Sequence, residues 1–170
     1  KLIQALGKNR NQTIEDLTTY LDLVATAIAA DIVPMTGENR VLAHFGLQVI
    51  NSDPRPGIKA LIHQIKKQTL DITDVVFIIA PRINAAGRMK HGNYAVSLLT
   101  ETDENAVIKQ ASGIEEFNSS RKEADKRITI EALKQIEEKG EEERFTTVVY
   151  NENWHKGVIG IVASRLTETY

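Results

Sequence analysis

The sequence predicts an α/β, helix-rich fold, on three observations. Leu17, Tyr20, Leu21, Val24 and Ile28 recur at three- and four-residue spacing, the period of a helix with one buried face. A densely charged stretch, residues 112–138, keeps apolar positions at Ile114, Phe117, Ala124, Ile128, Leu133 and Ile136, which predicts one long helix bridging two parts of the protein. Near the end, "TTVVY" (residues 146–150) reads as a strand and residues 158–169 as a helix, the opening of an α/β unit.

The elements follow in order. Residues 1–6 read as part of an amphipathic helix. Thr13 and Asp16 have the spacing of a capping box, with Asp where Glu is usual. Pro34 ends the first long helical run, because its ring disfavours helix for the residue before it. Thr36-Gly37 makes a turn, and Val41, Leu42, Phe45, Val49 and Ile50 mark a second helix. "NSDPRPG" (residues 51–57) is a loop, followed by a short helix over residues 58–65. The apolar run at residues 75–79 is too short to separate strand from buried helix. Within the long charged helix, Glu123 and Arg127 are spaced for an i,i+4 ion pair. "KGEEERF" (residues 139–145) is a polar break. No internal repeat or low-complexity tract is visible. The first residue is Lys and both ends lie in helical patterns without stop signals, so the expectation is a piece of a longer protein.

Composition sets bounds on function. With 170 residues, 42% of them hydrophobic, the chain can form one ordinary domain or two small ones. Its 21 basic and 23 acidic residues give a formal charge of −2, so any nucleic-acid site must be a local patch. The absence of cysteine removes disulfides, thiolate metal sites and cysteine nucleophiles. No apolar run reaches the ~18 residues of a membrane span and no signal-peptide pattern opens the chain, so the expectation is a cytoplasmic protein with no membrane partner.

Three stretches carry candidate chemistry. Asp31, after an apolar, Ala-rich helix, reads either as a cap before Pro34 or as an oxygen ligand for Mg²⁺ or Mn²⁺; nearby Asp22 reads as a solvated surface residue. "PRINAAGR" (residues 81–88) lies in a window without a single acid between Asp74 and Glu101. Arg82 and Arg88 offer phosphate-matching donors and Asn84 an amide, while Ala85, Ala86 and Gly87 leave room for a sugar-phosphate backbone. The alternative is a tight turn whose arginines pair with carboxylates elsewhere in the chain. "NENWHKGVIGIVASR" (residues 151–165) places a loop with His155, Lys156 and Gly157 before a helix, an arrangement in which backbone N–H groups hold an anion. Ser164 and Arg165 add a hydroxyl and a guanidinium. The spacing of Gly157 and Gly160 is neither a P-loop nor a dinucleotide fingerprint, and His155 alone is as compatible with a structural role.

Together, "YLDLVATAIAADIVPMTGENR" (residues 20–40), "APRINAAGRM" (80–89) and "WHKGVIGIVASRL" (154–166) resemble the RecJ single-strand-specific exonucleases of the DHH phosphoesterase superfamily. The resemblance covers nearly the whole chain and implies its organisation. Residues 1–52 would be the C-terminal part of a DHH catalytic domain, 53–110 a helical junction with the arginine motif, 111–140 a connecting helix, and 141–170 the beginning of the DHH-associated α/β domain. The Asp-x-Asp and Asp-His-His motifs of the family are absent from this sequence and would lie before Lys1. Ala80 stands where the family often has Gly.

The same resemblance implies roles. Asp31 matches a catalytic metal-binding Asp. Arg82, Asn84 and Arg88 match the segment lining the DNA path. Ser164 and Arg165 match residues suited to gripping a 5′-phosphate, with His155 in support. The implied activity is 5′-to-3′ hydrolysis of single-stranded DNA with Mn²⁺ or Mg²⁺ in a two-metal site, in DNA repair and recombination. Tyr94 and Trp154 are the nearby candidates for base stacking, unless both are core. One carboxylate cannot hold two metals, so the 170-residue chain alone is expected to be inactive. The alternatives are a phosphodiesterase of the same superfamily for short oligonucleotides or dinucleotides, and a non-catalytic nucleic-acid-binding module.

Overall fold

The computed structural model describes residues 2–63, 65, 67–141 and 144–169. Its described helices are α1 (Leu2–Asn9), α2 (Ile14–Thr18), α3 (Leu21–Ala30), α4 (Gly37–Ser52), α5 (Pro56–Ile62), α6 (Ile72–Asp74), α7 (Ala80–Met89), α8 (Asn93–Thr100), α9 (Glu104–Lys139) and α10 (Lys156–Leu166). The expected capping box forms at the start of α2, where Thr13 and Asp16 satisfy each other's backbone N–H groups. The helix expected over residues 58–65 is α5; position 64 lies outside the described residues, as do Lys1 and, within the polar break, Glu142 and Glu143.

The long helix is longer than its charged stretch suggested. Asp103 caps its start, its Oδ1 accepting from the Ala106 N–H at 2.8 Å. Gly140 ends it in the left-handed region at φ 60°, a conformation that costs glycine nothing. Its 36 residues make a rod about 54 Å long that serves two hydrophobic clusters. The first gathers Ala25, Ile50, Ile58, Ile79, Leu98 and Ile114 from α3, α4, α5, α8, α9 and the turn before α7. The second joins Ala124, Ile128 and Ala132 of α9 to Val158 and Val162 of α10. α7 touches both, through Ala86 in the first and Met89 at the second. The i,i+4 ion pair expected from Glu123 to Arg127 is not made; Arg127 instead sits 3.9 Å from Glu131.

Three expectations are corrected. No strand forms among the described residues, although 146–150 has strand-like sequence. A strand needs a neighbouring backbone, and among the described residues only side chains are on offer. The Gln135 amide donates to the Tyr150 carbonyl at 3.0 Å and accepts from its N–H at 3.2 Å, while Lys139 donates to the Val148 carbonyl. Val149 turns onto the second cluster and Val148 and Tyr150 stay exposed.

Asp22 is not a solvated surface residue. It is fully buried and paired with Arg55. In α4 the face that packs is made of Ala43, Gly46 and Ile50, whereas Val41 and Phe45 of the expected apolar stripe are about half exposed. Small residues let α3 and α4 approach closely, and close approach outweighs stripe width in choosing the buried face.

Candidate nucleic-acid interface

The arginine motif is helical. Residues 75–79 form a π-helical turn that runs directly into α7, with the Ala80 N–H donating to the Val75 carbonyl. Pro81 explains the wide turn: it has no N–H to give the preceding turn, and its ring needs the extra space. Ala85 and Ala86 are fully buried, Ala86 within the first cluster, so their small size serves helix packing and not the approach of a strand.

The two arginines of the motif part company. Arg82, in the first turn of α7, holds its Nε 2.6 Å from Glu115 Oε2 and donates from Nη1 to the Ile78 carbonyl at 2.8 Å. It opens onto a groove of about 1100 Å³ whose walls include the carboxylates of Asp53, Glu104, Glu115, Glu116 and Glu123, with Lys59 as a further cation. A wall of that charge repels a polyanion. Asn84 is exposed.

Arg88, in the last turn of α7, is exposed and donates to the Gly157 carbonyl at 3.3 Å. Gly157 is fixed by the same contact surface. A Cβ there would collide with the Arg88 backbone carbonyl, so only glycine lets the first turn of α10 meet the end of α7. His155 caps α10, its Nδ1 accepting from the Gly157 N–H at 3.1 Å, which gives this histidine a structural task at the site.

This packing brings Arg165 of α10 and Arg121 of α9 into the neighbourhood of Arg88. Arg165 Nη2 lies 3.0 Å from Asp125 Oδ2, and Arg121 Nη1 lies 3.9 Å from the same oxygen. Burial pushes the Arg121 guanidinium below its ordinary value; Asp125 opposes that, and the positive charges of Arg88 and Arg165 add to it. Ser164 turns its hydroxyl back on its own helix, donating to the Gly160 carbonyl at 3.1 Å, and makes no hydrogen bond to the arginines among the described residues. Trp154 is half-buried on the second cluster with its Nε1 on Glu131 at 2.7 Å, whereas Tyr94 is half exposed, edge-on to Phe117.

Asp31 ends α3 as its C-cap residue and is exposed. No hydrogen bond or ion pair of its carboxylate is formed among the described residues, and none joins it to Arg82 or Arg88. Ile32, next in the chain, is held at φ 51°, a left-handed conformation that a β-branched residue rarely adopts. Among the described residues no three His, Cys, Asp or Glu side chains form a group that could hold a metal ion. Asp31 can therefore contribute one carboxylate to a divalent ion, and the described residues by themselves do not fit a two-metal centre.

Sequence reading missed Arg121, Asn118 and Asp125. A signal for them existed: Ile114, Asn118, Arg121, Asp125, Ile128 and Ala132 follow one another at alternating four- and three-residue steps, so three polar residues occupy a seam that should be apolar.

No protein-family model matches the chain. The chain is 38% identical over 168 residues to the "Single-stranded-DNA-specific exonuclease RecJ" of Escherichia coli (strain K12), an overlap covering 95% of this chain and 29% of that protein. The crystal structure of RecJ in complex with Mn²⁺ from Thermus thermophilus matches with a TM-score of 0.86 at 30% identity, over 97% of this chain and 24% of that one. The corresponding structure in complex with Mg²⁺ matches with a TM-score of 0.83 at 28% identity, over 97% of this chain and 26% of that one. The chain thus spans less than a third of the length of these relatives.

Proposed function

We propose that this chain, which resembles one stretch of the RecJ exonucleases in sequence and fold along nearly its whole length, is a strand-gripping part of a 5′-to-3′ single-stranded-DNA exonuclease that serves DNA repair and recombination. The observation that carries the reading is the meeting of Arg121 and Arg165 at the single carboxylate of Asp125, with Arg88 near enough for its charge to act on Arg121. Three cations against one anion leave a formal excess of two positive charges in a chain that is otherwise slightly acidic. A phosphodiester backbone supplies the missing negative charge, and guanidinium groups match its oxygens two at a time. A terminal 5′-phosphate carries more charge than an internal one, which favours a strand end at such a grip. Base identity plays no part in that contact, in keeping with a nuclease that must act on any sequence.

Asp31 is the residue of this chain that we assign to a divalent metal, Mn²⁺ or Mg²⁺, the ions held by the solved relatives. When bound, such ions activate water and stabilise phosphoryl oxygens. The other ligands must come from outside the described residues, so the 170-residue chain by itself is not expected to cut DNA. Its own contribution is positioning, which can supply a large share of a rate.

The test is the salt dependence of binding to a single-stranded oligonucleotide. Arg88→Ala and Arg165→Ala should each weaken binding and reduce the slope of log affinity against log salt by about 0.7, one phosphate contact. Arg82→Ala should leave the slope unchanged, because that guanidinium, paired with Glu115, faces a groove walled by four further carboxylates, those of Asp53, Glu104, Glu116 and Glu123. Unaltered slopes for both Arg88→Ala and Arg165→Ala would refute the reading.

A further inference from the structure

The polar seam of α9 leaves buried polar atoms without partners among the described residues. Asn118 is fully buried; its Oδ1 accepts from Arg121 Nη2 at 2.8 Å, but its Nδ2 has no partner among the described residues. Asp125 is 4% exposed; Oδ2 takes both arginines, and Oδ1 has no partner there. Buried polar atoms without partners are costly, and an apolar residue at such a position is often at least as stable as an ion pair. The neighbouring seam positions are Ile114, Ile128 and Ala132, so leucine at 118 and 125 would continue an ordinary core. Stability therefore does not account for these two residues.

Their geometry does. Arg121 reaches the site from within α9 with its side chain only 15% exposed, and Arg165 arrives from α10 at 49% exposure. Left alone, two like charges on separate helices would swing apart. A single oxygen of Asp125 is close to both, and the side-chain oxygen Oδ1 of Asn118 holds Arg121 one turn earlier. We propose that Asp125 is a positioning residue whose carboxylate sets the Arg121 and Arg165 guanidinium groups side by side as a paired grip on one strand phosphate, with Asn118 anchoring Arg121. This rests on the reading of the arginine cluster as a strand-phosphate site. The grip is prepared before the strand arrives, so binding need not spend free energy on ordering two long side chains.

The sign of one substitution separates positioning from charge balance. Asp125→Asn keeps the shape of the side chain and raises the formal charge of the cluster from two to three. If Asp125 served only as a counter-charge, a short 5′-phosphorylated, 3′-labelled oligothymidylate would bind more tightly and with a steeper salt dependence. Positioning predicts the reverse. Affinity measured by fluorescence anisotropy in chelator should fall about tenfold with a shallower slope, because Arg165 is no longer delivered to the phosphate. Asp125→Glu, which keeps the charge on a flexible arm, should recover most of the loss.

Tighter binding by Asp125→Asn would overturn the inference. If that variant fails to fold by circular dichroism, Asn118→Leu provides the second arm. It fills the seam, removes only the anchor of Arg121, and should lower affinity several-fold; unchanged affinity would overturn the inference as surely. Should Arg88→Ala weaken binding while Asp125→Asn strengthens it, only the positioning role falls. If neither Arg88 nor Arg165 matters, the strand-phosphate reading itself falls.

Discussion

Asp22 and Arg55, 33 residues apart, close a buried bidentate pair: Arg55 Nη2 meets Asp22 Oδ1 at 2.8 Å and Nε meets Oδ2 at 2.9 Å. The Arg55 N–H adds a third bond to the carboxylate, and the guanidinium also donates to the Thr19 and Leu99 carbonyls. One ion pair thus ties the start of α3 to the loop before α5 and the end of α8. Arg55→Ala strands a carboxylate in the core and should cost about 3–5 kcal/mol in urea unfolding. Replacing both, as Asp22→Leu with Arg55→Met, should recover most of that loss.

Gly157→Ala tests the helix contact beneath the arginine cluster. The added methyl must displace α10 from the Arg88 carbonyl, so stability should drop by about 1–3 kcal/mol by urea unfolding. Oligonucleotide affinity should fall with it, since Arg165 rides on α10.

Ile32→Gly should do the opposite of most substitutions and stabilise. The residue sits at φ 51° and is 79% exposed, so glycine relieves the backbone while sacrificing little burial. The expected gain is about 1 kcal/mol, or roughly 2–4 °C in the thermal midpoint. The released backbone should also loosen the orientation of Asp31.

Glu101 governs part of the acid limb. The Asp103 and Thr102 N–H groups donate to its carboxylate at 3.1 and 2.9 Å, holding its pKa below the usual carboxylate range. The folded pKa lies below the unfolded one, so this contribution is fully present above the ordinary glutamate range and disappears as pH falls through the lowered value. Glu101→Gln should flatten the stability profile in that window, measured by urea titration at stepped pH, and an NMR titration of the wild-type chain should show the lowered midpoint directly.

The helices were legible wherever an apolar period continued, as in α3 and α9, and the capping box at Thr13 was legible from two residues. What eluded sequence was pairing at a distance. Asp22 looks solvated because nothing within its own helix reveals Arg55, 33 positions later. Ala85 and Ala86 are as compatible with a strand-accommodating turn as with helix packing, and only α9 lying against α7 decides between them. Arg82 and Arg88 share one motif and one chemistry, yet six residues of helix turn them toward different neighbours, Glu115 for the first and Gly157 for the second. The cluster itself assembles from three helices, and two of its members, Arg121 and Asp125, sit in a stretch so rich in charge that neither stands out until the seam is read as a seam.

The Gln135 amide acts as a mechanical guide. By grasping both polar groups of Tyr150, it does from a helix what a neighbouring strand would do in a sheet, and it thereby fixes which residue of 146–150 points inward. A slip of one position would exchange Val149 for a neighbour on the opposite side of the backbone. A single side chain therefore sets the phase of this segment with no backbone alongside it among the described residues.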